Sequence, residues 1–494
     1  MSAHVVLCGA NVGARAHRGA PKVMRELASP RPAFASPTAS TANALRLLVV
    51  ASDVSGDLHA SDVLTALARL CASHLQVRCV AGPRTVGAAD AINGDDTLQH
   101  VSTLGLSSIG ITHAIPLVSR ATRVMRAATD IVETWEPHCV LLIDFPGVNV
   151  PLGTSIRRGR SGASPRILYY IPPNEWHVSP ARSADVVQSA DEVLCVHHRE
   201  HEHFRSIAQA VDANCDVRFV GHPVAARVAE AASWSQDTAC KALRLDSGGV
   251  PCTVALLPAS RIQETHLVWP AIAKAAHQIF LWHRARRHGF VNDKLKPFGA
   301  PPVAKSSGKD VRFLLVVPSG APPRLEEELR SNAAWFFDAH EAEGRLVVLR
   351  GDADEHAHGT VEVAHAAAAA SDVALCKTGT VGLELFLLDT PQVSVYALDA
   401  FSASLLRLLL HTRNENMDDF LANLPNVIAN ARVVPELLQE HATPEAIVEE
   451  ALPFLDGDRR RATDGEDVAK QLRAELASKS AADEVAARIE ACFK

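Results

Sequence analysis

The chain has 494 residues, more than one compact core holds and enough for about two domains plus extras. Apolar residues make up 47% and charged residues 21%, an ordinary globular composition, and the net charge of −7 argues against a global electrostatic grip on nucleic acid. No apolar run reaches the ~20 residues needed to cross a bilayer, so any membrane association is expected to be peripheral. The ten cysteines form no CxxC pair and several sit in apolar runs, which reads as core thiols in a reducing compartment.

Residues 1–44 carry Arg15, Arg18, Lys22, Arg25 and Arg31 against one acid, Glu26, and their second half is mostly Ser, Thr, Ala and Pro. That composition reads as a disordered organellar transit peptide, plastid or mitochondrial, with an untargeted cytoplasmic protein as the alternative. From Leu45 a strand, a glycine-containing loop and a helical stretch follow in turn. Strand-like runs recur at Val77–Ala81, Cys139–Phe145, Ile167–Ile171, Val193–Val196 and Val217–Val220, with a helical stretch at Ser119–Glu133. The alternation predicts a doubly wound parallel sheet over residues 45–228. A second series, Val254–Leu257, Phe313–Val317, Leu346–Leu349, Val373–Leu375 and Gln392–Tyr396, predicts a second Rossmann-like domain over 229–440. Residues 284–310 read as an inserted basic loop, and 441–494 as helices expected to pack back on the N-terminal domain.

Ligands of open α/β sheets bind outside the carboxyl ends of the strands, so the segments there are the candidates. The first is Ser52-Asp53-Val54-Ser55-Gly56-Asp57, where Gly56 permits close backbone approach and Asp57 is either a site residue or a helix cap. The second is Asp144 at the end of the apolar run Leu141–Ile143, a place for a general base, followed by Asn149. The third is Leu256-Leu257-Pro258-Ala259-Ser260-Arg261, whose arginine suits a diphosphate. The fourth is Lys377-Thr378-Gly379-Thr380-Val381-Gly382-Leu383-Glu384. Its small residues open a helix, an anion site, and Glu384 one turn on can accept from ribose hydroxyls. The P-loop pattern is absent, which argues against an ATPase. His197-His198-Arg199-Glu200-His201 matches HxxEH, but the match is cheap among 23 histidines and follows a strand of the doubly wound pattern. Ser402–Arg413 mixes leucines with Arg407, His411 and Arg413, and reads either as a membrane-surface segment or as a core helix.

Together these motifs, in order over about residues 46–455, resemble the lipid-A-disaccharide synthase family. The first loop is similar to that family's Gly-Glu-x-Ser-Gly-Asp, and Ile143–Asn149 to its Ile-Asp-x-Pro-Asp-Phe-Asn. Phe219-Val220-Gly221-His222-Pro223, Leu256–Arg261, Thr378–Glu384, Asn423-Leu424-Pro425-Asn426 and Val434–Gln439 also match. The resemblance implies a GT-B fold, two Rossmann-like doubly wound domains facing a central cleft. It implies an inverting transfer of 2,3-diacylglucosamine from UDP to 2,3-diacylglucosamine 1-phosphate (lipid X), giving a β(1→6) disaccharide and UDP. Asp144, Arg261 and Asn426 fall on the family's catalytic residues. Thr378, Gly379, Thr380 and Glu384 fall on the UDP-sugar loop, and Ser55, Gly56, Asp57, Asn149 and Trp176 on the acceptor side. No metal or other cofactor is implied, and a homodimer is left open.

The sequence departs from the family in Pro172–Ser179, where Pro173 and Trp176 remain, at Gly147, which replaces the second Asp of the Asp144 motif, and at Lys377, which replaces a small residue. These changes bear on the acceptor more than on the UDP-sugar. The competing readings are a GT-B transferase or UDP-sugar epimerase with another acceptor, and a non-catalytic protein that binds UDP-sugar or lipid.

Overall fold

A computed structural model of the chain describes residues 45–51, 54–70, 75–94, 98, 100–103, 117–159, 164–173, 182–245, 252–258, 261–288, 310–318, 321–322, 324–351, 361–412, 419–456 and 466–493. Residues 1–44, and with them the transit-peptide reading, lie outside this set, as do Ser52, Asp53 and Trp176. Two parallel sheets organise it. The first comprises β1 (Leu45–Ala51), β2 (Leu75–Ala81), β3 (Val101–Ser102), β4 (Cys139–Ile143), β5 (Arg166–Tyr170), β6 (Glu192–Cys195) and β7 (Asp216–Phe219), in the order β3-β2-β1-β4-β5-β6-β7. The second comprises β8 (Cys252–Leu257), β9 (Val311–Val317), β10 (Leu346–Arg350), β11 (Val373–Lys377), β12 (Gln392–Tyr396) and β13 (Glu436–Leu438), in the order β10-β9-β8-β11-β12-β13.

The unbroken apolar runs follow from burial on both faces. On one face of the first sheet Leu47, Val49, Leu141 and Ile143 pack with the helices Val54–Leu70 and Ala481–Ala491. On the other, Leu48, Val50, Val140 and Leu142 pack with Leu117–Trp135 and Pro146–Arg158. The second sheet is covered likewise, with Leu256 and Phe313 on the core that holds Trp269 and Ala255 and Leu314 on the opposite one. Trp269 is fully buried and donates from Nε1 to the Leu329 carbonyl at 2.8 Å. Six of the cysteines (Cys79, Cys139, Cys195, Cys240, Cys252 and Cys376) are buried free thiols, as their apolar settings predict.

The described residues form two compact units, one running to Gly221 and resuming at Lys479, the other His222–Ser478. The division falls ahead of the expected 228/229 boundary because Val224 and Val228 of the helix Pro223–Ala232 pack with Leu383, Phe386 and Leu476. The C-terminal helices also divide. Pro444–Leu455 and Glu466–Leu476 join the second unit's cores. The helix Ala481–Ala491 packs on the first sheet, where Arg488 donates twice at 2.8 Å to the buried Glu192 carboxylate. The basic stretch expected to begin an inserted loop at 284 starts instead as helix, since Ile262–Arg287 is continuous, and 289–309 lie outside the described residues. Among the described residues no helix is long and apolar enough to cross a membrane.

One close approach fixes the helix Pro146–Arg158 against Ser183–Ser189. A Cβ on Gly153 would lie 2.3 Å from the Ser189 carbonyl oxygen, closer than any atom pair tolerates. Gly153→Ala is therefore expected to destabilise the chain by about 1–3 kcal/mol, read as a lowered denaturant midpoint at unchanged slope. An unshifted midpoint would show that the two helices separate freely.

Candidate active site

In the first sheet the strand order reverses between β1 and β4, and in the second between β8 and β11. Such topological switch points leave a crevice at the carboxyl ends of the strands, because successive helices leave the sheet on opposite sides there. Ser55–Asp57, Asp144 and Asn149 fall at the first of these places, and Arg261 and Thr378–Thr380 at the second.

Asp144 is the residue immediately after β4. It does not continue the strand as the run Cys139–Phe145 predicts. Asp144 and Phe145 take φ of 47° and 52°, both left-handed and neither glycine. Each such residue costs about 1–3 kcal/mol and persists only where its surroundings hold it. Here the Asp144 N–H donates to the Tyr170 carbonyl at 3.0 Å, and its own carbonyl accepts from Tyr169 Oη and from Asn149 Nδ2, both at 2.8 Å. Asn149 is fully buried, and its Nδ2 also reaches the Ile143 carbonyl at 3.1 Å and that of Val50 at 3.5 Å. It therefore ties the ends of β4 and β1 together across the switch point. The Asp144 side chain is half-buried.

Ser55 and Gly56 lie in the first turn after β1, with Ser55 exposed and Oγ 3.3 Å from His59 Nε2. Asp57 is a cap, but of the next helix. Its carboxylate accepts the N–H groups of Arg84 and Thr85 at 3.0 and 2.9 Å and the Thr85 hydroxyl at 2.6 Å. This satisfies the open amides of Pro83–Asn93. Gly82 is required beside it, since a Cβ there would lie 2.5 Å from the Asp57 carboxyl carbon.

The HxxEH residues serve the fold. His197 Nδ1 accepts the Glu200 N–H at 3.2 Å, Glu200 Oε2 accepts the Val196 N–H at 2.8 Å, and His201 Nε2 lies 3.2 Å from the Val217 carbonyl. Glu200 is 1% exposed. Burial pushes its carboxyl up to about 8, against the Val196 hydrogen bond and with help from the charge of Asp144. An acid whose folded value is raised contributes stability that is full below its unfolded value of 4.5 and is lost as pH rises through about 8. Glu200→Gln keeps an acceptor for Val196 and cannot ionise. Its melting temperature is expected to fall less than that of the parent chain between pH 5 and 8.5. Parallel curves would show that Glu200 is not the group that titrates.

In the second unit two loops flank the switch point. Arg261 precedes the helix Ile262–Arg287, and Lys377-Thr378-Gly379 precedes Thr380–Leu387. The Glu264 carboxylate, 3% exposed, connects them, with Lys377 Nζ at 2.7 Å and Arg261 Nη1 at 3.4 Å from Oε1. Glu384 lies on the second turn with Arg227 Nη1 at 3.7 Å and His365 Nε2 at 3.5 Å. Burial raises its carboxyl, but His365, Arg227 and His222 together hold it below the usual range. Gly382 faces Asn423, whose Oδ1 would be 2.1 Å from a Cβ there.

Asn426 is wholly buried, and its amide is engaged within the chain. Oδ1 accepts the N–H groups of Val433 and Val434 at 2.9 and 3.0 Å, and Nδ2 donates to the Val434 carbonyl at 3.0 Å and to Glu436 Oε2 at 2.9 Å. Glu436 Oε1 accepts from the Ala422 and Asn423 amides, both at 2.6 Å. The two matching segments Asn423–Asn426 and Val434–Gln439 are thus one hydrogen-bonded unit beside β12, where Asn423 Nδ2 donates to Ser394 Oγ at 2.6 Å and Glu436 pairs in register with Ser394.

A profile of the lipid-A-disaccharide synthetase family matches residues 47–284 and 308–489. The chain belongs to this family. A lipid-A-disaccharide synthase of Gloeothece citriformis is 29% identical over 450 residues, covering 90% of this chain and 99% of that one. One from Prochlorococcus marinus is 29% identical over 424 residues, covering 84% and 91%. Among solved structures, a UDP-N-acetylglucosamine 2-epimerase of Listeria monocytogenes superposes with a TM-score of 0.51 at 12% identity, covering 91% of this chain and 97% of that one, a likeness of fold alone. The chain belongs to a glycosyltransferase family and carries family-like motifs at both switch points and beside β12 and β13, whereas the departure at Pro172–Ser179 runs from the end of β5 into residues outside the described set.

Sequence reasoning missed three features of the site. No glycine signals the left-handed pair at Asp144 and Phe145. The Glu264 link was hidden in an ordinary helical first turn. The structural engagement of Asn426 depends on β13, a strand of three residues too short to read.

Proposed function

We propose that this chain is an inverting glycosyltransferase. It joins UDP-2,3-diacylglucosamine to 2,3-diacylglucosamine 1-phosphate, forming a β(1→6) lipid A-type disaccharide and UDP. The observation that carries the reading is the strained Asp144, held by Tyr169, Tyr170 and Asn149 at a switch point of a chain in this family. Strain kept at a half-buried carboxylate marks a group whose direction matters.

In this mechanism Asp144 accepts the proton of the acceptor 6-hydroxyl as O6 attacks C1 of the donor sugar. The C1–O bond to the β-phosphate breaks, UDP leaves with the electron pair, and C1 inverts. Arg261 and the amides opening the helix Thr380–Leu387 meet the charge that grows on the diphosphate. Thr378, Gly379 and Thr380 cradle the phosphates, and Glu384 accepts from ribose hydroxyls. Ser55 and Gly56 border the acceptor, and the family resemblance assigns Trp176 to the acceptor side as well. Asn149 and Asn426 are positioning residues, since their amides are engaged by other groups of the chain, Asn149 by backbone and Asn426 by backbone and the Glu436 carboxylate.

Acylated substrates bring such an enzyme to a membrane surface. On the helix Ala400–Thr412, Leu406 and Leu410 are buried while Phe401 and Leu408 stay 59% and 58% exposed, an apolar edge suited to that contact. The cyanobacterial relatives and the basic first 44 residues support a plastid location.

The test is a product assay with both substrates and EDTA present. UDP together with disaccharide supports the reading without a metal. UDP release without disaccharide replaces the acceptor, and UDP binding without turnover replaces the enzyme by a binding protein.

A further inference from the structure

β11 ends on a lysine, an unusual choice for the last position of a strand buried over its first four residues. Its register sets Cys376 beside Leu257 at the end of β8 and Lys377 beside Val395. Lys377 is thus the first side chain past the β8–β11 pairing, at the mouth of the switch point. One contact and one proximity show where its ammonium lies. One is Glu264 Oε1 at 2.7 Å, reached across the crevice from the other loop. The other is the helix-opening loop itself, where a Cβ built on Gly379 would have Lys377 Nζ as its nearest neighbour, at 4.0 Å.

Positive charge gathers at this point. Lys377 and Arg261 both reach the carboxylate of Glu264, and two helices, Ile262–Arg287 and Thr380–Leu387, present their positive ends. Glu264 sits in the first turn of its helix, where a carboxylate is favoured by the dipole and is already engaged. An ammonium has three donors, and Glu264 uses one. Lys377 can therefore keep its tether and still donate to an oxyanion above Gly379. The side chain is 20% exposed, enough for a ligand to reach it and too little for it to wander.

We infer that Lys377 is a second cation for the donor diphosphate, held over the Gly379 loop by Glu264 so that it and Arg261 contact the same leaving group. The inference deepens the reading of this loop as a UDP-sugar site and rests on it. It also predicts a preference that the loop amides alone would not give. A nucleoside diphosphate should gain from Lys377, and a nucleoside monophosphate, whose phosphate ends short of the ammonium, should not.

The test is calorimetric binding of UDP and of UMP to the full chain, as parent, Lys377→Met and Lys377→Arg. Lys377→Met is expected to weaken UDP about tenfold while leaving UMP within about twofold, and Lys377→Arg to recover most of the loss. Salt should weaken UDP binding less steeply in Lys377→Met than in the parent. A parent chain that binds neither nucleotide refutes the UDP-sugar site itself. A parent that binds UDP, with Lys377→Met equal to it, refutes the role of Lys377 alone. Equal loss of both nucleotides would assign Lys377 to the fold.

Discussion

Replacing Asp144 with asparagine is expected to lower kcat by about 10²–10⁴-fold, the range a general base contributes, with UDP affinity kept within about twofold. Asparagine is the sharp probe here. It matches aspartate in shape and tolerates the left-handed backbone that Asp144 adopts at φ 47°, so the loop should keep its form. What it loses is the capacity to take a proton. Asp144→Ala removes the same capacity but adds a residue with no liking for that backbone, and should also lower the melting temperature. Steady-state rates and UDP titration of the two variants separate chemistry from fold. A rate within tenfold of the parent for Asp144→Asn would remove the base from Asp144.

Replacing Arg261 with alanine is expected to lower kcat by about 10²–10³-fold, the loss usual when one donor to a developing oxyanion is removed. Arg261 stands in extended backbone just ahead of its helix, 38% exposed, with Nη1 3.4 Å from Glu264, which orients the guanidinium without enclosing it. Arg261→Lys keeps the charge and loses the planar fork, so it should recover only part of the rate. The division between kcat and KM is the informative readout. A fall in kcat means that Arg261 holds the departing diphosphate more tightly than the ground state. A rise in KM with kcat intact would make it a binding residue only, and would leave Lys377 and the helix end to stabilise the leaving group.

Glu200 bears on the first of these predictions. Burial holds its carboxyl up at about 8, so near pH 7 Glu200 itself adds little negative charge beside Asp144. The resemblance to HxxEH concealed this role. A glutamate that looks like a metal-site residue in sequence is, in the fold, a buried acid in the first turn of the helix His198–Ala210 that accepts the Val196 N–H just past β6.

How the chain was legible follows from which forces are local. Runs such as Cys139–Ile143 and Val373–Leu375 announce buried parallel strands, because burial on both faces requires every residue to be apolar. The order of those runs implies switch points, and the polar residues that end them, Asp144, Arg261 and Thr378–Thr380, mark the candidate site. The sequence by itself therefore determined the two doubly wound sheets and the residues at their carboxyl ends. The tertiary structure decided what each of those residues faces. It turned Asp57 to the helix Pro83–Asn93, engaged Asn426 with Val433, Val434 and Glu436, bent the backbone at Asp144, and set Lys377 and Arg261 on one carboxylate. These pairings join residues as far as 113 positions apart, as Lys377 and Glu264 are. Strand patterning comes from hydrophobic burial repeated every residue or two, whereas a polar pairing depends on one distance and one direction that exist only once the sheets have closed.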